Sequence, residues 1–392
     1  MLGPMHFTNA QLILPDAIRP GSLQVRNGRI ARVSGASTKS AGAGGAIDLQ
    51  GGYLAPGFID LHIHGAKGAD TMDGTEAAFR TITEFHLRGG TTSLALTTLT
   101  APESDILRTL EAVKPFHNRS IGRGARIVGV HVEGPFIALG KAGAQDPKYI
   151  RNPEPREWKQ YLRYGKLVTQ MTIAPENPGS LPLIKALRKN GTIASGGHTD
   201  ATDKHLVPAM KAGLNQSTHT FNAMSTIVKV GPYRLAGMIE FAMAQDEIMA
   251  ELIADGIHVP PILMRMLINA KGRDGVVIIT DATLGAGLPP GTKFTLLGVS
   301  ARTTGQVAEM DDGTGLAGST LTMIEGVQRV HQLAGAPLAD AVRMATLNPA
   351  KQLGRDDEFG SLALGKRADL VWFDQKFRVR GVWIDGEEKF RK

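Results

Sequence analysis

A closed (β/α)8 barrel, carrying a small β-sandwich made from both chain ends, is the fold class this sequence predicts. Three observations lead there. Eight apolar, strand-like runs recur along the middle of the chain with helix-like segments between them. Repeated β-then-α units argue for a parallel sheet, and eight of them for a closed barrel. Both termini carry alternating strand patterns too short to bury a sheet alone, so we expect them to pair with each other. Histidines and carboxylates recur at the ends of successive runs, where a barrel gathers its chemistry. A doubly wound open sheet is the structural alternative.

The elements follow in order. "LQVRNGRIARVSG" (Leu23 to Gly35) alternates about Asn27-Gly28, a hairpin turn signal. "GASTKSAGAGGA" (Gly35 to Ala46) reads as a small-residue loop. The eight runs are "YLAPGFIDLHIHG", "TTSLALTTLT", "ARIVGVHVEGPF", "LVTQMTIAPE", "GTIASGGHT", "LNQSTHTFNAM", "IMAELIADGIHV" and "GVVIITDAT". Between them, "TEAAFRTITEFHLRGG" and "LPLIKALRKNG" have helical spacing and end in glycine. "FTLLGVSARTTGQVAEMDDGTG" reads as an inserted β-hairpin region, followed by closing helices in "LTMIEGVQRVHQLAG" and "PLADAVRMATLNPAKQLG". "ADLVWFDQKFRVRGVWIDGEE" (Ala368 to Glu388) is again strand-rich, with a turn signal at Asp385-Gly386. The expected division is 1–53 plus 359–392 for the sandwich and 54–358 for the barrel.

Composition narrows the function classes. The 392 residues are 42% hydrophobic and 21% charged, ordinary for a soluble globular protein. There is no cysteine. Disulfides and thiolate ligands are therefore excluded, and any metal must be held by His, Asp and Glu. The net charge of +7 comes from scattered Lys and Arg without a basic run, which argues against nucleic acid. The first residues lack a charged segment followed by a long apolar core, and no stretch reaches the ~18 apolar residues of a membrane span. A cytoplasmic protein with no membrane partner is the expectation.

"GFIDLHIHG" places His62 and His64 at i and i+2, on one face of an extended strand. The later runs end in Glu133, His198, His219, Asp255 with His258, and Asp281. Imidazole nitrogens and carboxylate oxygens suit a divalent ion, zinc first, with iron or manganese as outsiders. Such an ion polarises a carbonyl and lowers the pKa of a water from 15.7 toward roughly 7. A nearby carboxylate can take that water's proton and pass it to a leaving nitrogen. Asp281, closing the apolar "GVVIITD", is our candidate for that acid/base.

"PGFIDLHIHG", "HVEGPF", "GGHTDA", "THTFNAM", "DGIHV", "TDAT" and "GSLALGKRADLVWFD" together resemble the ordered motifs of N-acetylglucosamine-6-phosphate deacetylases, in the amidohydrolase superfamily. The resemblance covers nearly the whole chain. It implies a metal-dependent barrel, usually a homodimer, that removes acetyl from an N-acetylated amino sugar phosphate. On that basis Glu133, His198 and His219 are the principal metal ligands and Asp281 the acid/base. His62 and His64 match paired histidines that some members use for a second ion bridged by the Glu133 equivalent. Asn222, Ala223 and His258 match positions that hold the sugar phosphate.

The match fails at two places. Gln145, in "KAGAQDPKYIR", stands where a carbonyl-polarising histidine is expected. Its amide donates a hydrogen bond but cannot become cationic. Losing an oxyanion donor outright costs roughly 2.7–4 kcal/mol, and a neutral replacement should cost less. After "FNAM", the phosphate-gripping arginine, often supplied by the neighbouring subunit, is replaced by Val230 or Gly231, flanked by Lys229 and Arg234. A lysine there would act as a point charge rather than a bidentate fork. The alternative substrate class is therefore another N-acyl compound: an unphosphorylated or differently configured N-acetyl sugar, an N-acyl amino acid or a cyclic amide.

Ordinary roles are assigned to the rest. His131, two residues before Glu133, is read as core or as support for a ligand. Asp255 is balanced between orienting His258 and forming a turn with Gly256. His6, His86, His117, His205 and His331 are read as solvated or core histidines, and Glu176 as a loop hydrogen-bonder. "GSLALGK" has phosphate-loop spacing, but Arg367 occupies the Ser/Thr place and no helix pattern follows, so it is read as a turn.

Overall fold

The computed structural model describes residues 4–35, 46–296 and 298–392. The small-residue loop expected from Gly35 to Ala46 falls largely on residues outside that range. Eight parallel strands follow one another around a nearly closed barrel: β1 (Phe58–Ile63), β2 (Thr91–Thr97), β3 (Arg126–Glu133), β4 (Val168–Ile173), β5 (Ile193–Gly196), β6 (Gln216–Ser217), β7 (Met249–Ile253) and β8 (Val276–Ile279). Each coincides with one of the eight runs. Their almost unbroken burial explains why they read as continuous apolar stretches, since helices cover the outside.

Closure between β8 and β1 occurs just beyond the strand ends. Asp281 N donates to His62 O at 2.9 Å, and His64 N donates to Ala282 O at 2.8 Å. Deeper in, the Asp60 carboxylate accepts from Thr280 Oγ1 (2.6 Å) and Thr280 N (3.2 Å), tying β1 to β8 through a side chain. The residues that join the barrel are thus neighbours of the histidine pair.

The helices end as their sequences require. Helix α1 (Glu76–Arg88) starts at Thr75, whose hydroxyl accepts from Ala78 N at 3.2 Å. The segment Ser180–Asn190 stops at Gly191, with a left-handed φ of 76°. After β8 the predicted insertion is a four-stranded antiparallel meander: Lys293–Leu296, Val299–Thr303, Val307–Met310 and Leu316–Ser319. The closing helices are Met323–Gln332, Leu338–Met344 and Leu347–Gln352.

The two chain ends meet in one eight-stranded sheet, hydrogen-bonded throughout. Strands Tyr53–Pro56 and Leu370–Phe373 are its seam, pairing antiparallel. The outer hairpins turn at Asn27-Gly28 (φ 51° and 75°) and at Asp385-Gly386 (φ 51° and 72°), the two-residue geometry that Asn-Gly and Asp-Gly favour. Tyr53–Pro56 belongs to this sheet although its sequence runs on into β1 without a break. The switch falls at Gly57, where an added Cβ would lie 2.2 Å from the Thr92 side chain, so only glycine lets the chain pass β2. Among the described residues no helix is long and apolar enough to cross a membrane.

Candidate metal centre and active site

Glu133 ends β3 with its carboxylate buried at the C-terminal mouth of the barrel, and four imidazoles close on it. His219 Nε2 lies 3.1 Å and His198 Nε2 3.3 Å from Oε1, with His62 Nε2 at 3.4 Å. His64 Nε2 lies 3.3 Å from Oε2. Two groups of three emerge, His62–His64–Glu133 and Glu133–His198–His219, sharing the one carboxylate.

The chemistry of this donor set fits divalent ions. His198 and His219 point Nε2 at Nε2 across 3.0 Å, and His62 and His64 do so across 3.3 Å. Lone pairs aimed together this closely need a shared proton or a cation between them. His198 turns its other nitrogen, Nδ1, to the Lys141 carbonyl at 2.7 Å, which leaves the Nε2 lone pair facing the cluster, where it could serve a metal ion. Without an ion, protons take its place. Burial lowers the His62 imidazole, but Glu133 and Asp281 outweigh that and hold it well above its ordinary range. His64 is likewise lowered by burial yet raised overall to about 9 by Asp281 and Glu133. Burial raises Glu133 and Asp281, while the imidazoles, His62 foremost, pull both below the usual carboxylate range.

The local backbone is unusual where these side chains leave their strands. His198, His219 and Asp281 all have positive φ, at 45°, 30° and 50°. Each β-run breaks into a left-handed residue at its end, which swings the side chain inward over the barrel mouth. Asp281 Oδ1 then lies 3.2 Å from His64 Nε2 and 3.4 Å from His62 Nε2. The meander holds it from behind, with Ser319 N donating to Asp281 O at 2.8 Å.

A cavity of about 420 Å³ opens above the cluster, lined by His64, Glu133, His198, His219 and Asp281, by Gln145, Asn222, Ala223 and His258, and by residues 314–318 of the meander. Asp255 plays both roles weighed for it: Oδ1 accepts from Ile257 N and His258 N at 2.8 Å, and Oδ2 lies 2.5 Å from His258 Nδ1. His258 thereby faces the cavity in a fixed orientation. Gln145 is committed differently from the histidine it replaces. Its Nε2 donates to Glu133 Oε2 at 2.7 Å and its Oε1 accepts from Thr100 N at 2.7 Å, so it braces the bridging carboxylate.

Lys229 and Arg234 face each other across the exposed hairpin Val228–Val230 and Tyr233–Leu235, and neither lines the cavity of its own chain. Lys141 does line it, with Nζ 3.5 Å from Asp200 Oδ1. Glu176 accepts from Thr199 Oγ1 and Asp200 N, as expected of a loop carboxylate. His131 is buried against Thr172 Oγ1 at 2.8 Å, with its ring 4.5 Å from that of His62. Glu251, in the middle of β7, escaped the sequence reading. It is fully buried, 3.2 Å from His62 Nδ1. The only signal was a glutamate inside the apolar "MAELI".

The model of the amidohydrolase family matches residues 53–389. The chain belongs to the amidohydrolase family. Within this family it is similar to an N-acetylglucosamine-6-phosphate deacetylase of Bacillus subtilis (strain 168), at 36% identity over 91% of this chain and 89% of the relative. It is also similar to an N-acetylgalactosamine-6-phosphate deacetylase of Escherichia coli O157:H7, at 35% identity over 85% and 87%. The crystal structure of N-acetylglucosamine-6-phosphate deacetylase from Pasteurella multocida superposes with a TM-score of 0.91 at 30% identity, covering all of both chains. The protein is thus an amidohydrolase enzyme with the fold that its eight runs predicted.

Proposed function

We propose that this amidohydrolase removes the acetyl group from N-acetylglucosamine-6-phosphate, giving glucosamine-6-phosphate and acetate. The convergence of four imidazoles on the Glu133 carboxylate, with Asp281 beside them at the floor of one cavity, carries this proposal. The deacetylase relatives support the substrate. Glu133, His198 and His219 would hold one divalent ion and His62, His64 and Glu133 a second, with zinc the expected metal. When bound, such an ion acidifies water and polarises a carbonyl.

The chain's own residues then do the rest. Asp281, with Oδ1 3.2 Å from His64 Nε2 at the edge of the cluster, is placed to accept the proton of the attacking water and return it to the departing amine nitrogen. Gln145 keeps the Glu133 carboxylate from rotating. His258, fixed by Asp255, and Asn222 with Ala223 form the wall on which the sugar phosphate is oriented. Lys141 offers positive charge from within the same chain.

We further propose a homodimer in which the exposed Lys229–Arg234 hairpin reaches the cavity of a second copy. Ile227, Val230 and Tyr233 are 57%, 52% and 72% exposed, which favours a covering partner. Mixing Asp281→Asn chains with Lys229→Ala/Arg234→Ala chains should then restore activity that neither has alone. Lack of restoration in a mixture shown by light scattering to be dimeric would count against the shared site.

Release of acetate from N-acetylglucosamine-6-phosphate by the zinc-loaded protein, compared with the unphosphorylated sugar and with N-acetylgalactosamine-6-phosphate, tests the central proposal. Asp281→Asn is expected to cut kcat by at least 10²-fold with metal content unchanged. Turnover of the unphosphorylated sugar in preference to either phosphate would overturn the substrate assignment.

A further inference from the structure

Glu251 is a buried carboxylate that the proposed reaction does not use, and its surroundings account for all of its hydrogen-bonding capacity. Oε1 accepts from Gln170 Nε2 at 2.6 Å and from Gln216 Nε2 at 2.7 Å. Oε2 accepts from His219 N at 3.0 Å and lies 3.2 Å from His62 Nδ1. Two lone pairs on each oxygen thus meet four donors. The two amides are locked in turn, since Gln216 Nε2 also donates to Gln170 Oε1 at 2.7 Å and Gln216 Oε1 accepts from Gln352 Nε2 at 3.0 Å. Nothing in this network is free to rotate without stranding a buried polar atom.

The arrangement has a direct consequence for His62. A carboxylate facing Nδ1 needs a proton there, so neutral His62 must carry Nδ1–H and present the Nε2 lone pair toward His64, Glu133 and Asp281. The other tautomer would bring two acceptors together in the barrel interior and would place a hydrogen where an ion needs a ligand.

We propose that Glu251 is a positioning residue that fixes His62 as an Nε2 ligand and so makes the His62–His64–Glu133 group competent for a second divalent ion. The inference rests on the metal reading above. Glu251 acts on the other group only through the backbone N–H of His219, so its main effect falls on the second ion.

Glu251→Gln is the informative variant. The amide keeps one acceptor for Gln170 and Gln216 but turns its NH2 toward His62 Nδ1 and the His219 N–H, donor against donor. His62 is then driven to accept at Nδ1 and protonate Nε2. Removing a carboxylate partner of a ligand histidine typically weakens metal binding 10–100-fold. Zinc per chain, counted by mass spectrometry after equilibration at low free zinc, should fall from two to one. His62→Asn should do the same, and the double variant should lose no more than either single. A folded Glu251→Gln protein with native affinity for both ions overturns the proposal, as does native protein that binds only one. Native protein that binds no ion overturns the metal reading itself, and Glu251 with it. Should the variant not fold, 15N-histidine NMR of the zinc-loaded native protein decides, with His62→Asn to assign the resonance. Protonated Nδ1 with a metal-shifted Nε2 supports the proposal, and protonated Nε2 overturns it.

Discussion

Three of the residues proposed to carry the chemistry, His198, His219 and Asp281, stand in left-handed backbone conformations that non-glycine residues avoid. Such positions cost about 1–3 kcal/mol each and persist only when the surroundings over-determine them. Here the surroundings are hydrogen bonds to the same residues: Glu251 to the His219 N–H, and Ser319 to the Asp281 carbonyl. The strain is the means by which a parallel strand, whose side chains otherwise alternate in and out, turns a polar side chain across the barrel mouth. Lys141 belongs at this scale as well. Its carbonyl fixes His198, and among the described residues no other Lys or Arg lines the cavity. Lys141→Ala keeps the carbonyl and deletes the charge. We expect KM for the phosphorylated sugar to rise up to about 5-fold, the worth of one exposed charge contact of at most about 1 kcal/mol. Turnover of the unphosphorylated sugar should be unchanged. Equal losses on both substrates would show that the ammonium does not read the phosphate.

Helix α1 carries an acid-sensitive group. His86 is fully buried on its inner face, with Nε2 3.3 Å from Gly65 O and Nδ1 without a partner among the described residues. Burial pushes its pKa down to about 4, against 6.5 in the ordinary state. The folded protein therefore keeps His86 neutral while the unfolded chain takes up a proton below 6.5. Stability is intact above pH 6.5 and is lost as the pH falls toward 4, by up to about 3 kcal/mol. Urea unfolding at several pH values, with chelator present so that metal loss does not contribute, should give a shallower slope for His86→Leu than for the native protein. Parallel slopes would refute the assignment. The sequence reading placed His86 in the core or in solvent. Helical spacing located it on α1, but the residues that α1 packs against, which decide between the two, come from β2 and the loop after β1. The turns Asn27-Gly28 and Asp385-Gly386 were legible for the opposite reason: two adjacent residues contain their whole geometry.

At the scale of the molecule, the end sheet is joined to the barrel through a buried ionic knot. Arg126, at the start of β3 and 1% exposed, donates Nη1 to Asp369 Oδ2 at 2.6 Å and Nη2 to Asp385 Oδ2 at 2.9 Å. Arg367 grips Asp385 with two further bonds of 2.6 Å. Breaking such a pair leaves a charge stranded in the interior. Asp369→Ala is expected to cost about 3–5 kcal/mol in equilibrium unfolding, whereas Arg126→Met combined with Asp369→Leu should recover much of the loss. A single variant as stable as the native protein would show that the knot holds nothing together.

Nothing in the sequence marked Arg126 and Asp369 as partners, nor Glu251 as the neighbour of His62. What the sequence by itself determined was the order of eight β/α units, the two terminal hairpins and the kinds of side chain gathered at the barrel mouth, because each is encoded in short-range periodicity, turn chemistry and residues at strand ends. It also located Gln145 as a departure, though not what that departure does. Only the tertiary structure decided that the amide braces Glu133, that Lys229 and Arg234 lie away from their own cavity while Lys141 lines it, and that one buried carboxylate faces a distant histidine. Those are contacts between segments far apart in the chain. Their existence depends on barrel closure and strand register, which no local run of residues records.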